Sequence, residues 1–411
     1  MERTILHCDM NCFYASVEMM LNPSLRGKAI AVCGSVENRH GICLAKSELA
    51  KKAGVKTAMP VWEAKKLCPD LIVVPPQYAQ YVKYSKLAHK IYERYTDRIE
   101  PYGLDECWLD ITGCYGASDG NKTAEKIRKA IREELGLTVS IGISFNKVFA
   151  KLGSDMKKPD AQTQITKENF KKKIWPLPVS YLLYVGRATA KKLSGFNIHT
   201  IGDLAKTEPS FLKRIFGVNG LMLWRYANGL DNADVAHKDY RAPVKSIGHG
   251  ITCVSDLLTN DEVWPVMLEL SQDIGHKLKD QGFMACGVQI AIRDNGLAFH
   301  QFQTQLSYPS QSALELARAG FALFEKNYTW NKNVRMVTVR AIQLADASLP
   351  GQLSFFEDFS RVIRREKLEN AAHSIRCKYG RYAIRPASLL GDLKIPYDDR
   401  HLVTLPGMMH Q

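Results

Sequence analysis

Asp105 and Glu106 stand side by side in Tyr102-Gly103-Leu104-Asp105-Glu106-Cys107-Trp108-Leu109-Asp110, at the mouth of the strand-like run Cys107 to Thr112. Two carboxylates this close repel, and one stays protonated unless a cation neutralises the pair. A hard divalent cation with oxygen ligands answers that need. Neighbours on a strand point to opposite faces, so a turn at the strand start is the expected way to aim both acids at one site. Taken alone, an Asp-Glu pair is most often a solvated turn. A second stretch, Thr4 to Glu18, shifts the balance: an apolar strand runs into Asp9, and the aromatic pair Phe13-Tyr14 then opens a helix. A strand-end Asp and an acidic turn about a hundred residues later can assemble a three-carboxylate, two-metal site. Such a site clamps the attacking and leaving oxygens of a phosphoryl transfer.

The flanking elements must hold these acids in place. Ala15 to Leu21 reads as a helix closed by Asn22-Pro23, and Ala29 to Cys33 as a short buried strand. Gly41 to Ala45 leads into a helical run, Lys46 to Ala53, ended by Gly54; Trp62 to Leu67 is another short helix, stopped by Cys68-Pro69. Tyr78 to Tyr95 is a long aromatic-rich helix, expected to pack beneath the sheet that carries the acids. Thr123 to Gly136 is amphipathic, with Ile127, Ala130, Ile131 and Leu135 on one face. Thr138 to Ser144 alternates like a half-buried strand. The order β, α, β, β, α, β predicts a ferredoxin-like domain with carboxylates at strand ends. After a polar, aperiodic stretch at 236–245, a similar order recurs. It comprises helix 261–281, strands Gly287–Asp294 and His300–Leu306, helix 311–327 and strand Val334–Leu344.

With 411 residues the chain is long enough for two to four domains, and 45% hydrophobic residues suits a soluble globular protein. There is no apolar run of membrane-spanning length and no signal peptide, since Met1-Glu2-Arg3 leads directly into a strand. The ten cysteines are scattered, with no Cys-x-x-Cys pair and no histidine cluster, which argues for reduced thiols in a cytosolic protein and against structural zinc. Cys8 and Cys12 flank Asp9 and read as buried thiols rather than ligands. The net charge of +14 is unevenly placed: residues 146–237 hold 15 Lys/Arg against 7 Asp/Glu, whereas residues 238–350 hold 11 of each. A basic middle segment points to a polyanion, most simply a nucleic-acid backbone.

The two acidic stretches at this spacing resemble the catalytic motifs of the Y-family translesion DNA polymerases, in particular their bacterial polymerase IV branch of Gram-positive type. The likeness runs from about Thr4 to about Arg385. It implies an α+β, multidomain right-hand polymerase. The ferredoxin-like palm would take 1–12 and 76–168, the small fingers 13–75, the helical thumb 169–235, a linker 236–245, an α+β little finger 246–345, and a tail 346–411 with a clamp-binding motif. The implied activity is low-fidelity, template-directed DNA synthesis on damaged template, by nucleotidyl transfer from dNTP to a primer 3′ hydroxyl. Asp9, Asp105 and Glu106 would be the catalytic carboxylates on two Mg²⁺, with the Met10 carbonyl as an additional ligand. Tyr14 matches the family's sugar gate. Phe13, beside it, is counted with the nucleotide pocket but expected to turn into the core. Lys51 and Lys158 would meet the triphosphate, although many polymerase IV members carry Tyr and Arg where Glu48 and Lys51 stand here, a pattern nearer polymerase V. Ile42 and Leu44 would roof the nascent base pair. Leu182 to Leu193 resembles half of a helix-hairpin-helix, with Tyr184 in place of the usual first glycine. Gln352, Leu353, Phe355 and Phe356 resemble the peptide that plugs into the bacterial sliding clamp. Partners are then primer-template DNA, dNTP and the clamp, for a cytoplasmic monomer without membrane contact. Two other readings remain. A palm-type nucleotide cyclase would lack the basic thumb and carry Gly-Gly where Tyr102-Gly103-Leu104 stands. A non-catalytic DNA-binding accessory protein would not need the intact acidic trio.

Overall fold

The computed structural model describes residues 2–36, 39, 41–114, 119–348 and 359–396. They form two compact units: one holds the chain up to Gly34 and Ile42–Arg241, the other Ser35–Gly41 and the described residues from 242 to 396.

In the first unit, strand β1 (Ile5–Met10) leads through Cys12, which takes a left-handed φ of 47°, into helix α1 (Phe13–Leu21). A small layer follows: β2 (Ile30–Cys33), β3 (Cys43–Lys46), α2 (Glu48–Lys52), α3 (Val61–Leu67) and β4 (Ile72–Val74). Then come α4 (Tyr78–Tyr92), β5 (Ile99–Pro101), β6 (Glu106–Asp110), α5 (Gly120–Leu135), β7 (Val139–Ser144), α6 (Lys147–Met156) and β8 (Gln162–Gln164). The large sheet has the order β5-β6-β1-β7-β8, with β1 antiparallel to both β6 and β7. Strands β1, β5, β6 and β7 with the intervening helices make the βαββαβ arrangement that the periodicity predicts. Every β1 side chain is buried, because both sheet faces are covered. Leu6, Cys8 and Met10 pack with Tyr81, Ile91, Ile127 and Ile131 of α4 and α5, whereas Ile5 packs with Trp108 and Ala150 on the α6 side. Strand alternation therefore puts His7 and Asp9 on the α6 side.

Helix α6 lies unusually close to β7. A Cβ at Gly142 would sit 1.8 Å from the Ala150 carbonyl oxygen, and one at Gly153 would sit 3.0 Å from the Gly142 Cα. Only glycine at position 142 permits this approach. The outer face of α6 supplies Val148, Phe149 and Leu152 to the core of a helical segment: α7 (Phe170–Ile174), α8 (Arg187–Ser194), α9 (Ile201–Lys206), α10 (Pro209–Phe216) and α11 (Val218–Ala227). Asn146, the α6 N-cap, also donates to the Gly229 carbonyl at 3.2 Å.

Several element boundaries differ from the sequence reading, the strands Phe283–Asp294 and Phe299–Ser310 of the second unit among them. Helix α1, which that reading groups with residues 13–75, buries Phe13, Ala15 and Val17 in the core of the large sheet. The small layer has its own core, from Ala31 and Cys43 to Leu71. Lys46 ends a strand rather than starting a helix, because Ser47 caps α2 by accepting from the Ala50 N–H. Helix α4 ends at Tyr92, short of Tyr95.

The second unit contains β9 (Ser246–Leu257), α12 (Asn260–Asp280), β10 (Phe283–Asp294), β11 (Phe299–Ser310), α13 (Ala313–Asn327), β12 (Val334–Asp346) and α14 (Phe359–Tyr379). Its antiparallel sheet has the order β11-β10-β12-β9. Val288, Ile290, Ile292, Val337 and Val339 pack against α12 and α13. On the opposite face, register aligns Arg340 with Gln289 and Gln303. Acids concentrate on the helices instead, at Glu262, Glu269, Asp273, Asp280 and Glu315. The four strands themselves are neutral, with Arg293, Arg335 and Arg340 against Asp256, Asp294 and Asp346.

Candidate active site

The β1–β6 register sets Asp9 directly opposite Glu106. Asp105 belongs to the hairpin turn joining β5 to β6, where Gly103 takes a φ of 94°. The Asp105 carbonyl accepts from the Met10 N–H at 3.0 Å, tying that turn to the end of β1. Turn and strand start together supply the two neighbouring acids, and β1 supplies the third. Asp9 is 7% exposed, and Asp105 and Glu106 are half-buried.

Burial of three like charges sets their protonation. Desolvation, and then the charges of Asp9 and Glu106, push the Asp105 carboxyl up to about 7. Burial pushes Asp9 up to about 6, against the pull of Lys158. Burial raises Glu106 too, but the His7 imidazole and Lys151 outweigh it and hold that carboxyl down to about 2. Lys158 Nζ lies 2.6 Å from Asp9 Oδ2 and 2.8 Å from Asp155, while Lys151 pairs with Glu106. The arrangement is short of positive charge at Asp9 and Asp105. Closely set carboxylate oxygens that resist simultaneous ionisation fit a hard divalent cation.

Residues beyond the acids complete the frame. His7, fully buried, lies 3.3 Å from Glu106 Oε2 through Nε2 and 2.8 Å from Ser154 Oγ through Nδ1. Asn11 donates to Ser140 Oγ at 2.9 Å and accepts from the Asp160 N–H at 2.8 Å, which anchors the turn after Lys158 beside the end of β1. Sequence reasoning passed over His7, Asn11, Lys151 and Asp155. The available signals were the helical spacing of Lys151 and Asp155 and the shared strand face of His7 and Asp9.

The Tyr14 ring stacks on Tyr81 with centroids 4.1 Å apart and planes 9° from parallel. Tyr81 is itself fixed by a 2.5 Å hydrogen bond to buried Glu18. Burial and the charge of Asp105 push the Tyr14 phenol up to about 12, so this side chain borders the acidic cluster. Phe13 is 3% exposed and packs in the core. Lys51 is half-exposed and lies 3.7 Å from Glu48, which accepts from Cys12 Sγ at 3.1 Å; this links Lys51 to the start of α1. Ile42 and Leu44 flank buried Cys43 and face away from its core; Ile42 is 41% exposed. Tyr184 occupies a left-handed φ of 67°, the geometry a glycine would take, and Gly186 then caps α8. Gln352, Leu353, Phe355 and Phe356 lie outside the described residues. Among the described residues, no helix is long and apolar enough to cross a membrane.

The chain matches the impB/mucB/samB family over residues 8–155 and the C-terminal domain of that family over 244–355. Residues 184–231 match a domain described as the DNA polymerase-iota thumb. A DNA polymerase IV of Acetivibrio thermocellus is 48% identical over 95% of this chain and 98% of its own. DNA polymerase IV 1 of Bacillus subtilis is 38% identical over 94% and 93%, and DNA polymerase IV of Clostridium kluyveri 37% over 95% and 99%. Among solved structures, the Y-family DNA polymerase chimera Dbh-Dpo4(243-245)-Dbh superposes with a TM-score of 0.74, covering 84% of this chain and 99% of that one. Its 21% identity makes the likeness one of fold.

Proposed function

This chain belongs to the impB/mucB/samB family of Y-family polymerases and is a translesion, template-directed DNA polymerase; from that premise we propose that Asp9, Asp105 and Glu106 are its catalytic carboxylates. With the Met10 carbonyl they would hold two Mg²⁺, which when bound activate the primer 3′ hydroxyl and offset charge on the triphosphate. The observation that carries this reading is the convergence of β1 and the β5–β6 turn: Asp9 stands opposite Glu106, and Asp105 is bonded through its main chain to Met10.

The chain's own residues then divide the work. Lys158 and Lys51 offer flexible ammonium groups to polyphosphate, each a point charge rather than a fork. His7 and Lys151 hold Glu106 ionised and oriented. Tyr14, backed by Tyr81, stands against the sugar and excludes a 2′ hydroxyl, while Ile42 and Leu44 cover the nascent base pair. The N–H groups at the start of α8 meet a DNA phosphate. Gln352, Leu353, Phe355 and Phe356 seat in the sliding clamp, and the protein works as a cytoplasmic monomer.

Primer extension with Mg²⁺ and all four dNTPs is the test, with Asp105→Ala and Glu106→Ala beside the parent. Both variants should lose extension and keep primer-template binding. Near-normal turnover by either would overturn the carboxylate assignment. Replacing Gln352, Leu353, Phe355 and Phe356 together with Ala should abolish stimulation by sliding clamp and leave unassisted synthesis intact; surviving stimulation would remove that peptide from the scheme.

A further inference from the structure

Helix α14 buries none of its described side chains; Ile363, Leu368, Ile375 and Tyr379 are all exposed. The apolar stripe that usually docks a helix is missing. A polar stripe takes its place, recurring every fourth residue as Arg365, Glu369, His373 and Cys377. Arg365 pairs with Glu315 of α13, and Glu369 accepts from Ser312 Oγ at 2.6 Å. The stripe continues past these contacts to a cluster with no role in the polymerase scheme.

There α14 presents His373 and Cys377 to His276 and Asp280 of α12. Each pair is spaced i, i+4, so each helix places two donors on one face. One donor atom from each of the four lies within 4.8 Å of every other. His276 Nδ1 is 3.2 Å from His373 Nδ1, and His276 Nε2 is 3.1 Å from Asp280 Oδ2. His373 Nε2 is 3.6 Å from both Asp280 Oδ1 and Cys377 Sγ. A tetrahedron with centre-to-vertex bonds of about 2.0–2.3 Å has edges of about 3.3–3.8 Å. With one donor atom taken from each residue, the set spans up to 4.8 Å, so closing it onto an ion asks for a contraction of about an ångström by side chains at the surface.

We propose that His276, Asp280, His373 and Cys377 form a zinc site that staples α14 to α12. Two imidazoles, a thiolate and a carboxylate are the mixture that a borderline-soft, tetrahedral ion takes, and sulfur and nitrogen donors disfavour Mg²⁺ or Ca²⁺. With every position filled by protein, the site is structural. It supplies the fixed joint that the helix lacks in apolar contact.

The test uses the full chain, stripped with EDTA. Zn²⁺ is titrated in competition with a chromophoric chelator, and Co²⁺ serves as the spectroscopic probe. The parent should bind Co²⁺ with a thiolate-to-metal charge-transfer band and the strong ligand-field absorption of four-coordination. Cys377→Ser should lose the charge-transfer band. His276→Ala combined with His373→Ala should weaken Zn²⁺ binding about a hundredfold or more. Zn²⁺ should slow tryptic cleavage within α14 in the parent and not in the double variant. The carboxylates at Asp9 and Asp105 also accept Co²⁺, but oxygen ligands give no thiolate band, so the two sites stay distinguishable. His276, Asp280 and Cys377 are exposed and His373 is half-buried, so these substitutions leave the core untouched. Absence of the thiolate band, or equal Zn²⁺ affinity in parent and double variant, would reduce the cluster to a metal-free polar network.

Discussion

Replacing Gly142 with alanine tests whether the seat of α6 on β7 positions the acidic cluster. The added Cβ would lie 1.8 Å from the Ala150 carbonyl oxygen and 2.5 Å from the Ser154 amide nitrogen, whereas ordinary contact begins at 3.4 Å. Both obstacles are backbone, so α6 must retreat by more than an ångström. Overpacking a core costs about 1–3 kcal/mol, and an unyielding backbone puts this site at the top of that range, about 3 kcal/mol. Lys151, Ser154 and Asp155 ride on the same helix, so the retreat draws Lys151 from Glu106 and Ser154 from His7. A misplacement of about 1 Å costs roughly a hundredfold in turnover. Urea unfolding should therefore shift strongly, and single-nucleotide insertion should fall about a hundredfold at temperatures where the variant stays folded. Gly153→Ala meets its nearest atoms at 3.0 and 3.2 Å and should show a smaller effect of the same kind. Gly391→Ala, with nothing within 4 Å, should show none. Stability within about 0.5 kcal/mol of the parent and unchanged turnover in Gly142→Ala would refute this account.

Three further outcomes are expected. Tyr14→Ala should admit ribonucleotides far more readily while still using deoxynucleotides, and Phe13→Ala should chiefly lower stability by about 3 kcal/mol; single insertions of rNTP against dNTP would expose the wrong choice of ring. Asp105 and Asp9 are raised from an ordinary 3.8 to about 7 and about 6, so the folded state binds protons more tightly than the unfolded one. Without divalent cation their contribution to stability must fall as pH rises from about 4 to about 7. Asp105→Asn should flatten that slope in melts made in EDTA, and parallel slopes would contradict the assignment. Lys158→Met should raise the KM for dNTP more than it lowers DNA affinity; a pure loss of DNA binding in a filter assay would move Lys158 out of the nucleotide site.

Much of the fold was written in local patterns. The apolar run into Asp9, the alternation of Val139 to Ser144 and the amphipathic face of Ile127 and Ile131 each act within a few residues, and all lie in the expected elements. Contacts across long separations were not legible. A histidine two residues before Asp9 reads as a core residue until β1 is set against β6 and α6, which bring Glu106 and Ser154 to its two nitrogens. Helix α2 starts at Glu48, two residues later than the sequence pattern implied, because the Ser47 hydroxyl accepts from the Ala50 N–H and decides the boundary. The sequence shows no histidine cluster, yet the fold gathers His276 and His373 from helices 97 residues apart. Their i, i+4 partners Asp280 and Cys377 were the one available hint. Ile42 and Leu44 were distinguishable from Cys43 only by strand alternation.

Helix α6 has three attachments at once. Its inner face lies on β7 through Gly142, its side chain Lys151 reaches Glu106 while Asp155 holds Lys158, and its outer face gives Phe149 and Leu152 to the helical segment beyond. A helix of ten residues is stiff over its 15 Å length. It therefore works as a lever rather than a spacer. A tilt of the helical segment would pass along α6 and reach Lys151 as a displacement. Strain imposed by the duplex far from the reacting atoms would be felt at the acids before any side chain there touches the irregularity.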